Sequence, residues 1–297
     1  QAGRDKPAGL AVTAYLRHHV ARLLAEDPRL RLGLDDAVHQ VRVATRRLRG
    51  GLRTFGPLLD PDWAQPVRDE LGWLAGELGP ARDLEVLRAR LLHEIDLLPE
   101  DVVRGNARAR VERALGADLE TALDRAREAL RSTRYLDLVD RLVEGAAAPP
   151  LTDAARRPAR VVLPPLVRRT WQRMARRVAQ AEAGQGDPVA YHNVRIAAKR
   201  ARYAAEAVAP ALGKPPTRFA RRCEAVQDHL GEHQDAVVAG RTLLDLAERR
   251  GMGTAASFTL GVLFAREQQT ATRLRQDFPP LWRDVSRRRY RRWFEDA

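Results

Sequence analysis

Residues 38–52 read VHQVRVATRRLRGGL, and residues 191–205, 153 positions further on, read YHNVRIAAKRARYAA. His39 aligns with His192, Arg42 with Arg195, Arg46 with Lys199, Arg47 with Arg200 and Arg49 with Arg202. On a helix turning about 100° per residue, steps of three, seven and ten fall within roughly 80° of one face. His39, Arg42, Arg46 and Arg49 therefore form one stripe about 15 Å long. His192, Arg195, Lys199 and Arg202 form a second. Like charges stacked along a helix repel, so each stripe requires open water or an anion. Arg53 extends the first stripe; its counterpart is Glu206, which can hold a neighbouring arginine in position. Tyr203 shares the second face and can donate a hydrogen bond to phosphate. Arg47 and Arg200 sit about 80° to the other side, where cavity edge and contact with the other half are both open.

Outward from these stretches the chain reads as all-α. Apolar residues recur at three- and four-residue intervals, as in Leu71, Leu74, Leu78 and Leu84, Leu87, Leu91, which is helical periodicity. The spacing predicts helices near 8–26, 36–56, 63–78, 81–97, 105–131 and 134–144. A second set is predicted near 163–183, 188–211, 216–230, 232–249, 253–276 and 279–295. Asp35 or Asp36 is placed to cap the first stripe helix, and Asp187 before Pro188 the second. The run GAAAPPLTDAARRP from Gly145 to Pro158 reads as the connection, with 148–158 as its centre. One domain over 1–297 is thus expected, built from a bundle over 8–147 and a duplicate over 159–295.

A second matched pair follows the stripes at nearly equal distance. Residues 78–83 read LGPARD and residues 230–235 read LGEHQD, so Leu78, Gly79 and Asp83 match Leu230, Gly231 and Asp235. Coincidental basic helices would not share this downstream spacing. Two tandem bundles about an approximate two-fold, with both stripes facing a central basic cavity, follow naturally.

Net charge is +13, carried unevenly. Residues 1–150 hold 24 Lys and Arg against 24 Asp and Glu, whereas residues 151–297 hold 28 against 15. The first stripe nevertheless lies in a stretch without an acidic residue between Asp36 and Asp60, so its charge is local. Only Lys6, Lys199 and Lys214 are lysines among 52 basic residues. Arginine's planar fork binds phosphate bidentately and stays protonated. The single cysteine excludes an intrachain disulfide, and no apolar run approaches membrane-spanning length. A soluble, cytoplasmic protein is expected.

The histidine-led helix in each half, the Leu-Gly…Arg-Asp motif at Leu78–Asp83 and the Lys-Arg-x-Arg-Tyr motif at Lys199–Tyr203 resemble the conserved histidine α-helical domain, the CHAD family. The similarity spans roughly residues 8–295. It implies two helical bundles with pseudo-two-fold symmetry around a basic cavity, and binding of inorganic polyphosphate without catalysis. It also implies association with polyphosphate granules or with a triphosphatase partner. The departure from the motif is Gln234, where the first half has Arg82. The expected polyphosphate-binding residues are His39, Arg42, Arg46, Arg49, His192, Arg195, Lys199, Arg202, Arg53, Arg47, Arg200, Tyr203 and Arg82. Affinity is expected to rise as pH falls from about 8 to 6 through the stripe histidines.

Other readings are weaker. Nucleic-acid binding is permitted by the charge, but no aromatic residues interleave with the stripes. Phosphoryl transfer would want a carboxylate cluster for magnesium and a phosphate loop; neither stripe has one, and Gly213-Lys214 is followed by proline. No catalytic residue, cofactor or membrane partner is expected. His229 and His233 lie one turn apart but lack a third-ligand motif, so no metal is expected either. Cys223 reads as a packed core position. The run WRDVSRRRYRRWF from Trp282 to Phe294 reads as sealing the second bundle, because its basic residues surround the helix instead of forming one face.

Overall fold

In the first stripe helix, Val38, Val41, Ala44, Thr45, Leu48 and Leu52 repeat every three or four positions, and all are buried. That single apolar face docks the helix, and the basic residues on its other faces stay half-buried. A computed structural model of the chain describes residues 3–34, 36–184, 187–249 and 251–295. Among them regular structure is all helical: α1 (Ala8–Arg31), α2 (Ala37–Thr54), α3 (Pro61–Asp96), α4 (Ala107–Arg131), α5 (Thr133–Ala147), α6 (Ala159–Ala183), α7 (Pro188–Leu212), α8 (Lys214–Glu248), α9 (Thr254–Val285) and α10 (Arg292–Glu295). Two isolated bridges, Pro7 with Pro158 and Leu59 with Leu151, tie the ends of helices together.

Neighbours in sequence pack as antiparallel partners: α1 on α2, α2 on α3, α3 on α4, and likewise α6 on α7, α7 on α8 and α8 on α9. The central contacts between the two sets are α2 and α1 against α7. One apolar core runs from Val12 and Leu16 of α1 through Leu48 of α2 to Val194 and Val208 of α7 and Phe219 of α8. A second core joins the far ends of α3 and α4 (Leu91, Ile95, Val111, Leu115) to those of α8 and α9 (Leu243, Leu246, Leu260, Leu263). At the starts of α1 and α6, Ala8 N donates to the Arg157 carbonyl and Ala159 N to the Lys6 carbonyl, each at 2.9 Å. This reciprocal pair relates positions 151 residues apart. The connecting strand is fastened too: Thr152 N donates to the Leu58 carbonyl at 3.1 Å and Asp60 N to the Pro150 carbonyl at 2.8 Å.

Three expected breaks do not occur. Helix α3 runs unbroken through Pro80, where 63–78 and 81–97 were expected as two helices, and α8 runs through Gly231, where 216–230 and 232–249 were expected. Helix α9 continues through Pro279 and Pro280 to Val285, and a 3-10 turn at Arg288–Tyr290 and the short α10 follow it. An interior proline costs about 3 kcal/mol and an interior glycine about 1 kcal/mol. Leu71, Leu74, Leu78 and Ala81 are all fully buried around the α3 proline, and each buried leucine contributes roughly 1.5–3 kcal/mol. Tertiary burial therefore outweighs the local penalty. Helix α1 likewise passes Pro28 to Arg31, beyond the expected end at 26. Of the expected caps, Asp187 accepts from Val189 N at 2.9 Å. Asp36 makes no capping bond; its carboxylate accepts from Gln40 Nε2 at 2.7 Å instead. Asp35 lies outside the described residues.

Candidate functional site

The Leu-Gly motifs, which fall at expected helix breaks, lie inside α3 and α8 and make room for arginine. A Cβ on Gly79 would come within 2.9 Å of Arg42 Nη1, and one on Gly231 within 3.5 Å of Arg195 Nε. Each half thus lays a stripe arginine of α2 or α7 across a bare helix surface of α3 or α8. Arg42 also pairs with the exposed carboxylate of Asp83 at 3.1 Å. Arg195 has no carboxylate within 4.0 Å among the described residues.

The two stripes converge. Burial lowers the Arg42 pKa, Asp83 opposes this, and Arg46, Arg82 and Arg195 of the other half lower it further. Lys199 is held at about 7, chiefly by burial and then by Arg195, Arg46 and Arg42, with Asp235 acting in the opposite direction. Beyond this crossing opens a cavity of about 610 Å³. From α2 it takes Arg46, Arg49 and Arg53, and from α7 Lys199, Arg200 and Tyr203. A third wall, from α6, supplies Arg169, Arg173 and Arg176. Among the described residues eight cations line this space and no carboxylate does. None of the eight has a carboxylate within 4.0 Å among the described residues. Burial and the neighbouring Arg200, Arg49, Arg68 and Arg173 pull Arg53 down to about 10. The buried Nε atoms of Arg46, Arg49 and Arg195 lack a hydrogen-bond acceptor among the described residues.

Sequence reasoning missed the α6 arginines. They stand at steps of four and three within RRTWQRMARR, residues 168–177, and share one face. The spacing was legible, but no histidine leads it and its first-half equivalent is not basic throughout.

Of the expected site residues, Arg42, Arg195, Arg82 and the two histidines lie outside the cavity lining, and Arg47 and Arg202 are drawn off into ion pairs. Arg47 turns toward the other half, where its guanidinium pairs with Glu206 and lies 4.3 Å from the Tyr203 ring centre. Tyr15 donates to its carbonyl at 2.8 Å. Arg202 is held by Glu206 at 2.8 Å and Glu224 at 2.7 Å. Arg47 and Arg202 thus belong to an ion network joining α2, α7 and α8, and neither lines the cavity. The reason lies in one position of the duplicated helix: Glu224 occupies in α8 the place of Gly72 in α3, counting the same 152 residues as from Gly79 to Gly231. Gly72 instead lets Arg49 lie close, 3.2 Å from where its Cβ would be. Arg49 therefore keeps its charge for the cavity, while the equivalent Arg202 is neutralised.

The histidines flank the crossing and do not line the cavity. His192 Nδ1 is 3.1 Å from Gln234 Oε1, at the position equivalent to Arg82. His39 is held below the ordinary histidine range, first by burial and then by Arg82 and Arg46, with Asp36 opposing. Arg82 itself pairs with Glu85 at 3.0 Å. Lys199, held at about 7, is a further near-neutral group at the crossing.

Outside this region, His229 Nε2 meets the Leu274 carbonyl at 2.7 Å, and buried His233 lies against the Tyr191 ring. Cys223 is fully buried, and burial raises its thiol pKa. The C-terminal aromatics close the second bundle: Trp282 stacks on Trp171 at 5.3 Å, and Phe294 is fully buried edge-on to Phe219. Among the described residues no helix is long and apolar enough to cross a membrane.

Comparison with known proteins agrees with this architecture. The fold is similar to that of PptA from Streptomyces chartreusis, with a TM-score of 0.77 and 26% identity over 93% of this chain and 99% of that one. It is similar also to the crystal structure of the CHAD domain from the plant Ricinus communis, with a TM-score of 0.73 and 28% identity over 94% and 92% of the two chains. An uncharacterized protein in each of two strains of Mycobacterium tuberculosis is 33% identical over 304 residues, covering 95% of this chain and 54% of its own length. The chain therefore spans about half the length of the curated relatives it matches. Residues 14–244 match the CHAD domain model, and the chain belongs to the CHAD domain family.

Proposed function

We infer that the chain binds inorganic polyphosphate in the arginine-lined cavity, without turning it over, and through it associates with polyphosphate granules. The observation that carries this reading is a wall of eight cations, from three helices, with no carboxylate among the lining residues. Such a cluster is self-repelling until an anion enters it. A linear polyanion suits it because individually weak phosphate contacts add through effective concentration. Arg46 and Arg49, whose buried Nε atoms lack an acceptor among the described residues, present the rest of their guanidiniums to this cavity, and a buried donor left unsatisfied costs about 1–3 kcal/mol. Magnesium-dependent transfer calls for carboxylates beside the phosphate, and the lining contains none.

The test is a polyphosphate titration of the wild type, Arg46→Glu, Lys199→Glu and the double variant. Loss in each single variant and near-abolition in the double supports one shared site. Charge reversal within residues 287–292 that removes binding instead would place the site elsewhere. Displacement of polyphosphate by duplex DNA or RNA at equal phosphate concentration favours the nucleic-acid reading, and phosphate release with magnesium overturns the non-enzymatic one.

A further inference from the structure

We propose that Lys199 is a modification site for acyl phosphates: its amine attacks the acyl carbon, the side chain becomes an amide, and inorganic phosphate leaves into the cavity. The lysine's placement singles it out. It is the one lysine among eight cavity cations, whereas Lys6 and Lys214, the other two in the chain, are exposed. Arginine stays protonated and does not acylate under such conditions, so Lys199 is the single acylatable amine among the lining residues. Facing it are Arg42 and Arg46 from α2 and Arg195 from α7, with Asp235 of α8 as the opposing charge. Arg173 of α6 and Arg200 of α7 line the same space.

Each step uses groups already present. The doubly charged phosphate of the reagent is drawn to guanidinium forks that bind phosphate bidentately. The neutral amine adds to the acyl carbon, the carbon–oxygen bond to phosphate breaks, and the phosphate departs with that electron pair. The nitrogen then loses a proton to solvent. Fixed cations stabilise the charge that develops on the leaving group.

Burial and the neighbouring arginines support the same assignment by holding Lys199 at about 7. About half of it is then neutral at pH 7, against roughly one part in 2,500 for an ordinary lysine. Lower basicity also weakens the nucleophile, by about 30-fold if the dependence resembles that of thiolates. A net gain of up to about 40-fold over an exposed lysine remains, part of which the charge of the reagent's own phosphate takes back. Acylation removes one of the eight cavity charges and adds bulk, so it should loosen a bound polyanion; that consequence rests on the function proposed above.

The experiment treats the purified protein with acetyl phosphate at pH 7.5 and measures acetylation of Lys199, Lys6 and Lys214 by mass spectrometry. Lys199 should react more than tenfold faster than either exposed lysine, and Arg46→Gln should slow it. High salt should erase part of this preference, and a neutral acetyl ester should show less of it. Equal rates at the three lysines, or faster reaction at Lys6 and Lys214, overturn the proposal. Polyphosphate should protect Lys199. Selective labelling without protection would leave this inference standing and defeat the polyphosphate reading. Protection without selectivity would do the reverse.

Discussion

Raising the pH from 7 to 8.5 should weaken polyphosphate binding about 15-fold through Lys199. In the free protein Lys199 titrates at about 7, because burial and three arginines disfavour its charge. A bound polyanion outweighs the arginine part of that field and raises the amine's pKa in the complex, while burial, the larger cause, stays in place. The pKa is thus higher in the complex, binding takes up a proton, and affinity grows as pH falls until Lys199 is already charged. The charged fraction drops from about a half at pH 7 to about 3% at pH 8.5, which gives the 15-fold loss, about 1.6 kcal/mol. Below about pH 6 the lysine contribution should level off. His39, held below the ordinary histidine range, adds only at the acid end. For folding the sign is opposite to binding. A lysine whose folded pKa lies below its unfolded one binds fewer protons when folded, so it costs stability fully below about pH 7. The cost fades as pH rises toward 10.5. Lys199→Met should accordingly raise the melting temperature of the free protein at pH 7 while weakening its grip on polyphosphate. The assay is calorimetric titration at constant ionic strength from pH 6 to 9, in buffers of different ionisation enthalpy, for the wild type and Lys199→Arg. The arginine variant should flatten the slope and lose the proton uptake. Parallel slopes in the two proteins would refute the reasoning.

Further outcomes follow from the same structure. The logarithm of affinity should fall with the logarithm of salt at a slope of about −3 to −6, since five to eight neutralised phosphates contribute about −0.7 each for a single strand; a slope shallower than −2 in a salt series would contradict the cavity. Glu224→Gln removes one of the two carboxylates holding Arg202 and should strengthen binding about two- to fivefold, in line with a weakly screened surface charge, read in the same titration. Glu206→Gln breaks both the Arg47 and Arg202 pairs, which are half-buried, and should cost about 1–3 kcal/mol in denaturant unfolding. Gly51→Ala would bring a Cβ within 2.2 Å of Tyr15 Cε1, in a ring anchored by its hydroxyl, and should destabilise by about 1–3 kcal/mol. Gly116→Ala meets nothing within 4 Å and should instead stabilise by about 0.5–1 kcal/mol; calorimetric melting distinguishes the two.

Much of the site was legible because helical spacing is a local property. Arg42, Arg46 and Arg49 share a face whatever surrounds them, and so do Arg195 and Lys199. The α6 arginines were legible by the same spacing but carried no histidine to mark them. The sequence reading places Arg202 and Arg47 at the site, and the structure draws both into ion pairs, because whether a cation is free depends on carboxylates 4 to 159 positions away. Glu224 differs from Gly72 by one residue type, and that difference neutralises Arg202 while its counterpart Arg49 keeps its charge for the cavity.

By itself the sequence determined the helical class, the duplicated basic helices and their matching Leu-Gly motifs, since these rest on periodicity and spacing along one chain. Tertiary structure decided the rest. Burial of Leu71, Leu74, Leu78 and Ala81 kept α3 continuous across Pro80, because packing free energy outweighs a local backbone penalty. The crossing of α2 on α7 brought Arg42 and Arg195 together and left Lys199 among arginines. The titration of that lysine belongs to the folded crossing, because the charges that set it come from helices distant in sequence.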